Sequence, residues 1–223
     1  MKKMFHTALA VTLAAILCGC GPKEVQPIQS LSDIKADEIH VTDVNVGLGT
    51  QFVEFYSAKI DKEEEIIRSQ QERIANLSDV RSRKNKLNRE AAEKNIEKAE
   101  KKKASLHEEM TAVPVDVETA IRSALKNKFG GSREVNLDVT VDSLTLTNGA
   151  AVFLVGGSDS MTGTLKINDA KSNELLGEYH ITNFDSNGGL IGAVARGDGV
   201  RGKMFNEFSS KISGILAGEY ADE

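Results

Sequence analysis

The chain has 223 residues, 40% of them hydrophobic, with few aromatics and no tryptophan, enough for one domain of ordinary size with a modest core plus an extension. Its 28 Lys and Arg stand against 33 Asp and Glu, a net charge of −5 that gives no reason to expect nucleic acid. The two cysteines, Cys18 and Cys20, both lie near the N-terminus, which leaves no disulfide framework, zinc site or cysteine nucleophile in the rest of the chain.

In chain order, the first feature is Met1-Lys2-Lys3-Met4 followed by an apolar run from Phe5 to Leu17, broken only by His6, Thr7 and Thr12. A membrane-spanning helix needs about 20 apolar residues. Positions 4 to 19 are too few, and Gly21-Pro22-Lys23-Glu24 ends the run. A basic start, an apolar centre and a small residue before a cut describe a signal peptide. The ending Leu17-Cys18-Gly19-Cys20 resembles the lipobox of bacterial lipoproteins, in which a peptidase cuts before a cysteine that carries a diacylglycerol thioether. The resemblance implies a signal peptide at 1–19 and lipid on Cys20; choosing Cys18 would place Leu17 at the small-residue position. Cleavage would leave 26 Lys and Arg against 33 Asp and Glu, a net −7. Gly21 after Cys20, rather than Asp, resembles the outer-membrane sorting pattern of Gram-negative bacteria. In a Gram-positive cell the same anchor would hold the outer face of the plasma membrane.

Residues 20–37 read as a lipidated tether, with two prolines among Gln, Ser and Lys and no periodicity. Ile39, Val41, Val44 and Val46 predict a strand with a phase slip, and Phe52, Phe55 and Tyr56 a second short one. From Lys59 to Thr111 there is no Gly or Pro, and 26 of 53 residues are charged, a composition that only a helix fits. Ile60, Ile67 and Ile74 repeat at seven, the register then fails, and a fresh stripe runs through Ala92, Ile96, Ala99, Leu106 and Met110. Asn76-Leu77-Ser78-Asp79 between them favours a turn. Residues 60–80 hold three basic and six acidic side chains, and residues 81–103 ten basic and four acidic. Both observations predict either an antiparallel helical hairpin, the preferred reading, or one long solvated helix.

Residues 38–58 and 112–223 are read as the body. Pro114 to Phe129 predicts a helix stopped by Gly130-Gly131. Val135, Leu137, Val139 and Val141 alternate, and Leu144 and Leu146 continue in the opposite phase, which predicts a bulge at Asp142-Ser143. Asn148-Gly149 signals a turn. Two more strands flank the polar turn Asn168–Glu174, and Met204, Phe205, Phe208, Ile212, Ile215 and Leu216 line one face of a final helix. The fold class predicted is α+β: a small, mainly antiparallel sheet packed with two helices, plus the projecting charged element.

The hairpin Thr164–Gly177, the glycine-rich stretch after it and the terminal amphipathic helix look like a group of bacterial lipoprotein domains. More distantly they are similar to the periplasmic domains of the curli-secretion lipoprotein and of lipoprotein activators of penicillin-binding proteins. The resemblance implies an envelope protein that works by contact, and it brings no catalytic residue.

Gly197-Asp198-Gly199-Val200-Arg201-Gly202-Lys203-Met204 satisfies G-x-G-x-x-G, yet a P-loop needs Ser or Thr where Met204 stands, and a parallel sheet around it. His40, His107 and His180 are isolated, and no G-x-S-x-G elbow occurs. No catalytic residue, metal ligand or cofactor is predicted. Two segments remain, Ala150–Gly157 and Gly188–Ala195, both apolar and glycine-bearing. They read either as buried packing or as a contact surface for a membrane, a partner or another copy, centred on Phe153, Leu154, Leu190 and Ile191. The function expected is that of a non-enzymatic cell-envelope lipoprotein serving assembly or scaffolding, held to the membrane by its lipid, with an envelope protein or a second copy as partner. A periplasmic small-ligand or lipid-binding module is the alternative, and an envelope hydrolase is third.

Overall fold

The computed structural model describes residues 24–31, 34–77, 82–146, 159–185 and 199–220. It is an α+β fold built on one five-stranded sheet. The strands are β1 (Val25–Gln29), β2 (Ile39–Leu48), β3 (Arg133–Thr145), β4 (Asp159–Asp169) and β5 (Leu175–Asp185), in spatial order β1-β5-β4-β3-β2. Every neighbouring pair is antiparallel except β2 with β3. That parallel pair is joined by α1 (Thr50–Ala75) and α2 (Arg83–Leu125), and the chain ends in α3 (Gly199–Leu216).

Alternation along β3 sends Val135, Leu137, Val139 and Val141 to one face, in register with Ile167, Leu165 and Gly163 of β4. That face meets Val117, Ile121 and Leu125 of α2 and Phe208, Ile212 and Ile215 of α3 in a single core. The other face is polar, laced by Thr42 to Asn136, Asn45 to Asp138 and Asn168 to Asp138. Gly163 is where α3 comes down on the sheet: a Cβ there would lie 2.6 Å from the Thr140 carbonyl and 2.9 Å from the Phe208 ring. Gly131 has the same role at the other end, where a Cβ would collide with the Glu38 backbone as the chain enters β3 beside β2.

Two predicted irregularities are present. The register shifts between Val141 and Ser143 in β3, and between Val41 and Asp43 in β2, where the apolar phase slips. The turn after β4 is held by Asp169, whose carboxylate accepts the N–H groups of Lys171 and Ser172 and is thereby held below its usual range. Asn173 supplies the left-handed position. The Asn148-Gly149 turn lies outside the described residues.

Four expectations need correction. Val25–Gln29, read as tether, is edge strand β1, paired with β5 alone. An edge admits Pro27, whose missing N–H would break a ladder in a central strand. Tyr179 strengthens the attachment by accepting the Leu31 N–H at 2.6 Å. Phe52, Phe55 and Tyr56 form no strand but the first turns of α1, where Phe52 and Tyr56, four residues apart, stack at 4.5 Å and are buried. Pro114 does not start a helix; α2 runs through it. A proline inside a helix forfeits one backbone hydrogen bond. The fully buried Val113 and Val117 on either side supply packing that offsets the loss. The helix also ends before Phe129, at Leu125, because Asn127 takes a left-handed φ of 61°.

The charged element is a hairpin. α1 and α2 pack antiparallel, with Lys102 on Glu63 and Lys103 on Glu64. Along α2 the buried residues Ala92, Ala99, Leu106 and Val113 recur every seven, and on α1 Phe52, Tyr56, Ile60 and Glu63 are buried. Ile60 and Leu106 are the outermost hairpin residues in the body's core.

Candidate functional site

Cys20, Phe153, Leu154, Leu190 and Ile191 all lie outside the described residues. The strands that bracket them are described, and they share one end. Thr145, where β3 stops before residues 146–158, pairs with Ser160, just inside β4. Asp159 at the start of β4 pairs with Asp185 at the end of β5, where residues 186–198 depart. The N-terminal entry belongs there too: Glu24, four residues after Cys20, accepts the Thr182 N–H at 2.7 Å, three residues from the end of β5. So does the arm, since Leu48 of β2 pairs with Val141 and α1 begins two residues later. Entry of the chain, the base of the arm and the ends of the strands that bracket both apolar segments therefore gather at a single end of the sheet. Phe184 and Leu146 are exposed at that end.

A polar knot ties this end together. Asn183 faces the helices from β5 and is buried, and Lys211 reaches it from α3. The Lys211 ammonium donates to the Thr182 carbonyl at 2.8 Å and to Asn183 Oδ1 at 3.1 Å, and lies 2.9 Å from the Glu24 carboxylate. Asn183 Nδ2 in turn donates to Glu207 at 3.0 Å. All three ammonium protons have acceptors, as a buried cation requires. Lys211 thus joins the last helix to the sheet and to the residue before β1. Sequence reasoning missed this cluster, although a signal existed: Lys211 sits beside Phe208, Ile212 and Ile215 on the apolar face of a helix.

Elsewhere cations face carboxylates of the chain itself. Arg122 of α2 binds Asp43 and the Val44 carbonyl, each at 3.0 Å, and Glu118 at 2.7 Å. It pins the helix to edge strand β2 and holds the Asp43 carboxyl below the usual range. Beside it a surface hollow of about 600 Å³ is lined by His40, Val44 and Phe129. Between α2 and α3 a groove of about 440 Å³ contains Arg201, which binds Asp116 at 2.9 Å and lies over Phe205. At the base of the arm, burial and the nearby Glu109 push the Tyr56 phenol upward.

The described part of the glycine motif, Gly199 to Met204, forms the first turns of α3; Lys203 faces Glu207 at 3.6 Å and Met204 is fully buried. The structure does not gather the histidines: His40 is in β2, His107 in α2 and His180 in β5. Among the described residues no group of three or more His, Cys, Asp or Glu is placed to hold a metal. No described helix is long and apolar enough to cross a membrane.

No protein-family model matches the chain, and no curated relative is found. Among solved structures it is similar to PelC from Paraburkholderia phytofirmans, a dodecamer in both crystal forms. A single-substitution PelC variant aligns at 16% identity with a TM-score of 0.32, over 47% of this chain and 74% of that one. The second PelC structure aligns at 14% identity and a TM-score of 0.31 over the same shares. The likeness is partial and carries no argument about function.

Proposed function

We propose that this chain is a lipid-anchored protein of the cell envelope that works by association and not by catalysis. Cys20 carries the lipid, and Phe153, Leu154, Leu190 and Ile191 belong to the surface that meets an envelope partner or a second copy. The observation that carries this reading is the shared end of the sheet. The chain that follows Cys20 enters at Thr182, and the strands bracketing both apolar segments terminate beside it. The chain entry, the base of the arm and the ends of β3, β4 and β5 share one end, so an anchor and a contact surface there would act on the same neighbour. Lys211 and Asn183 brace that end, giving the contact a rigid base.

The test has two arms. Metabolic labelling with palmitate is lost in Cys20→Ser and kept in Cys18→Ser, and high salt releases the unlabelled protein from the membrane fraction, since no described helix is long and apolar enough to cross the bilayer. Label retained in Cys20→Ser would overturn the anchor. Replacing Leu190 and Ile191 together with Asp places charge in a desolvated contact and abolishes co-purification of partners while the melting temperature stays unchanged. A loss of cellular function in Lys203→Ala or His180→Ala, with normal folding and localisation, would instead indicate a ligand or catalytic site.

A further inference from the structure

We propose that one lateral flank of α2, beside its seam with α1, is a docking face for an anionic phospholipid surface, and that it lays the arm along the membrane. The proposal rests on the lipid-anchored reading for which membrane it meets; the face itself is built by the arm alone.

The outer half of α2 separates its charges by side. With Ala92, Ala99 and Leu106 marking the seam, Arg83, Lys84, Lys94, Lys98 and Lys101 fall within an arc of about 100° that contains no carboxylate. All five are exposed. Glu90, Glu93, Glu97 and Glu100 occupy the adjoining arc, with Lys86 the one cation among them. Lys102, at the border, belongs to the seam through its pair with Glu63. Lys101 does hold Glu97 at 2.6 Å, but both side chains are mostly exposed, and such a pair rearranges at little cost. Lys94, Lys98 and Lys101, together with Asn95 and Glu97, also line a shallow hollow of about 390 Å³.

The same arc carries an apolar group. Leu87 is 57% exposed, one turn from Lys84 and two from Lys94, with Ala91 between. Lysines that reach headgroup phosphates while a leucine enters the acyl boundary form the pattern of an interfacial helix. An acidic protein surface would satisfy the cations and leave Leu87 in water. The rest of the chain is acidic, so an anionic surface attracts this flank and repels the body.

The anchor's geometry leads to the same arrangement. From Cys20 to Glu24 the chain reaches at most about 14 Å. The arm leaves the same end of the sheet and continues past Ile60 to Ala75, about 22 Å more. A body standing upright on its anchor would drive charged residues of the arm into the hydrocarbon. The arm must therefore tilt onto the surface, and only one flank of α2 suits lipid.

The test uses the full mature chain carrying Cys20→Ser, so that no lipid anchor contributes. It should sediment with vesicles of about 30% phosphatidylglycerol in phosphatidylethanolamine and not with pure phosphatidylcholine. Affinity should fall at least about tenfold between roughly 50 and 500 mM salt. The variant K84E/K94E/K98E/K101E, melting as the parent does, should bind at least about thirtyfold more weakly. An environment-sensitive fluorophore on Leu87→Cys should shift to the blue on the anionic vesicles, and one on Glu93→Cys should not. No binding to the anionic vesicles, equal binding by the charge-reversed variant, or equal shifts at the two labels would each overturn the proposal. Capture by polyglutamate without vesicle binding would assign the face to an acidic protein and overturn it as well. A failure of palmitate labelling leaves these measurements untouched, so the two readings fail separately.

Discussion

In the body, the covered face of the sheet presents Val135, Leu137, Val139, Leu165, Ile167 and Ile181 to two helices, all of them fully or almost fully buried. The seam of the arm has Ala92 and Ala99 on one helix, with Ile60, Glu63 and Gln70 on the other. Glu63 is buried against Lys102, and the Gln70 side-chain oxygen is buried with no hydrogen-bond partner among the described residues. Large apolar side chains tie the body into one cooperative unit. Beyond Ile60 the arm fully buries only alanine methyls and polar atoms and covers Ile67, Ile74 and Ile96 in part, which contributes less free energy per residue. The arm is thus a shape held by helix propensity and heptad spacing, made firm where it joins the body. Its outer part should open locally at a free energy well below that of global unfolding.

That contrast is sharpest at the joint, where the largest effect is expected. Phe52 is 2% exposed and stacks on Tyr56 at the point where α1 leaves the sheet. Phe52→Ala should destabilise the whole protein by about 3–5 kcal/mol in urea unfolding. A loss below about 1 kcal/mol would show that the arm's base lies outside the core. A smaller effect belongs to the polar knot. Lys211→Met leaves Asn183 Oδ1 and the Thr182 carbonyl without their cation and should cost about 1–3 kcal/mol, with faster hydrogen exchange in β1 and β5. Unchanged exchange there would mean that Lys211 does not join these elements. The smallest effect is expected from shortening the arm. Ile60 and Leu106 belong to the core, so a cut must lie beyond them. Replacing residues 67–99 with a short Gly-Asn turn should leave the melting temperature within about 4 °C of the parent. A molten or insoluble product would show that the outer arm supports the body.

Most of the body was legible because its signals are local. Strict alternation marked β3, a one-residue phase slip marked each bulge, and the spacing of Phe208, Ile212 and Ile215 marked the buried face of α3. Three of the four misreadings share one physical cause, which is that a tertiary partner outweighed a local preference. Pro27 looks like tether until β5 offers it an edge to join. Pro114 looks like a helix start until packing around Val113 and Val117 carries α2 through it. Phe52, Phe55 and Tyr56 fit a strand or a helix equally well over so short a span, and the core decides between them.

By itself the sequence determined the class of the fold, the presence of a charged helical arm and the motif at Cys20. Each of these is written in composition or in spacing along a few turns of chain. Only the tertiary structure decided that the arm is a hairpin, that Lys211 is a buried tie, and that chain entry, arm base and the strand ends bracketing both apolar segments meet at one end of the sheet. Those facts depend on strand order and register between residues more than a hundred positions apart, as between Glu24 and Thr182. No local pattern encodes such a pairing, because it is selected by the joint burial of faces that the chain brings together only when it folds.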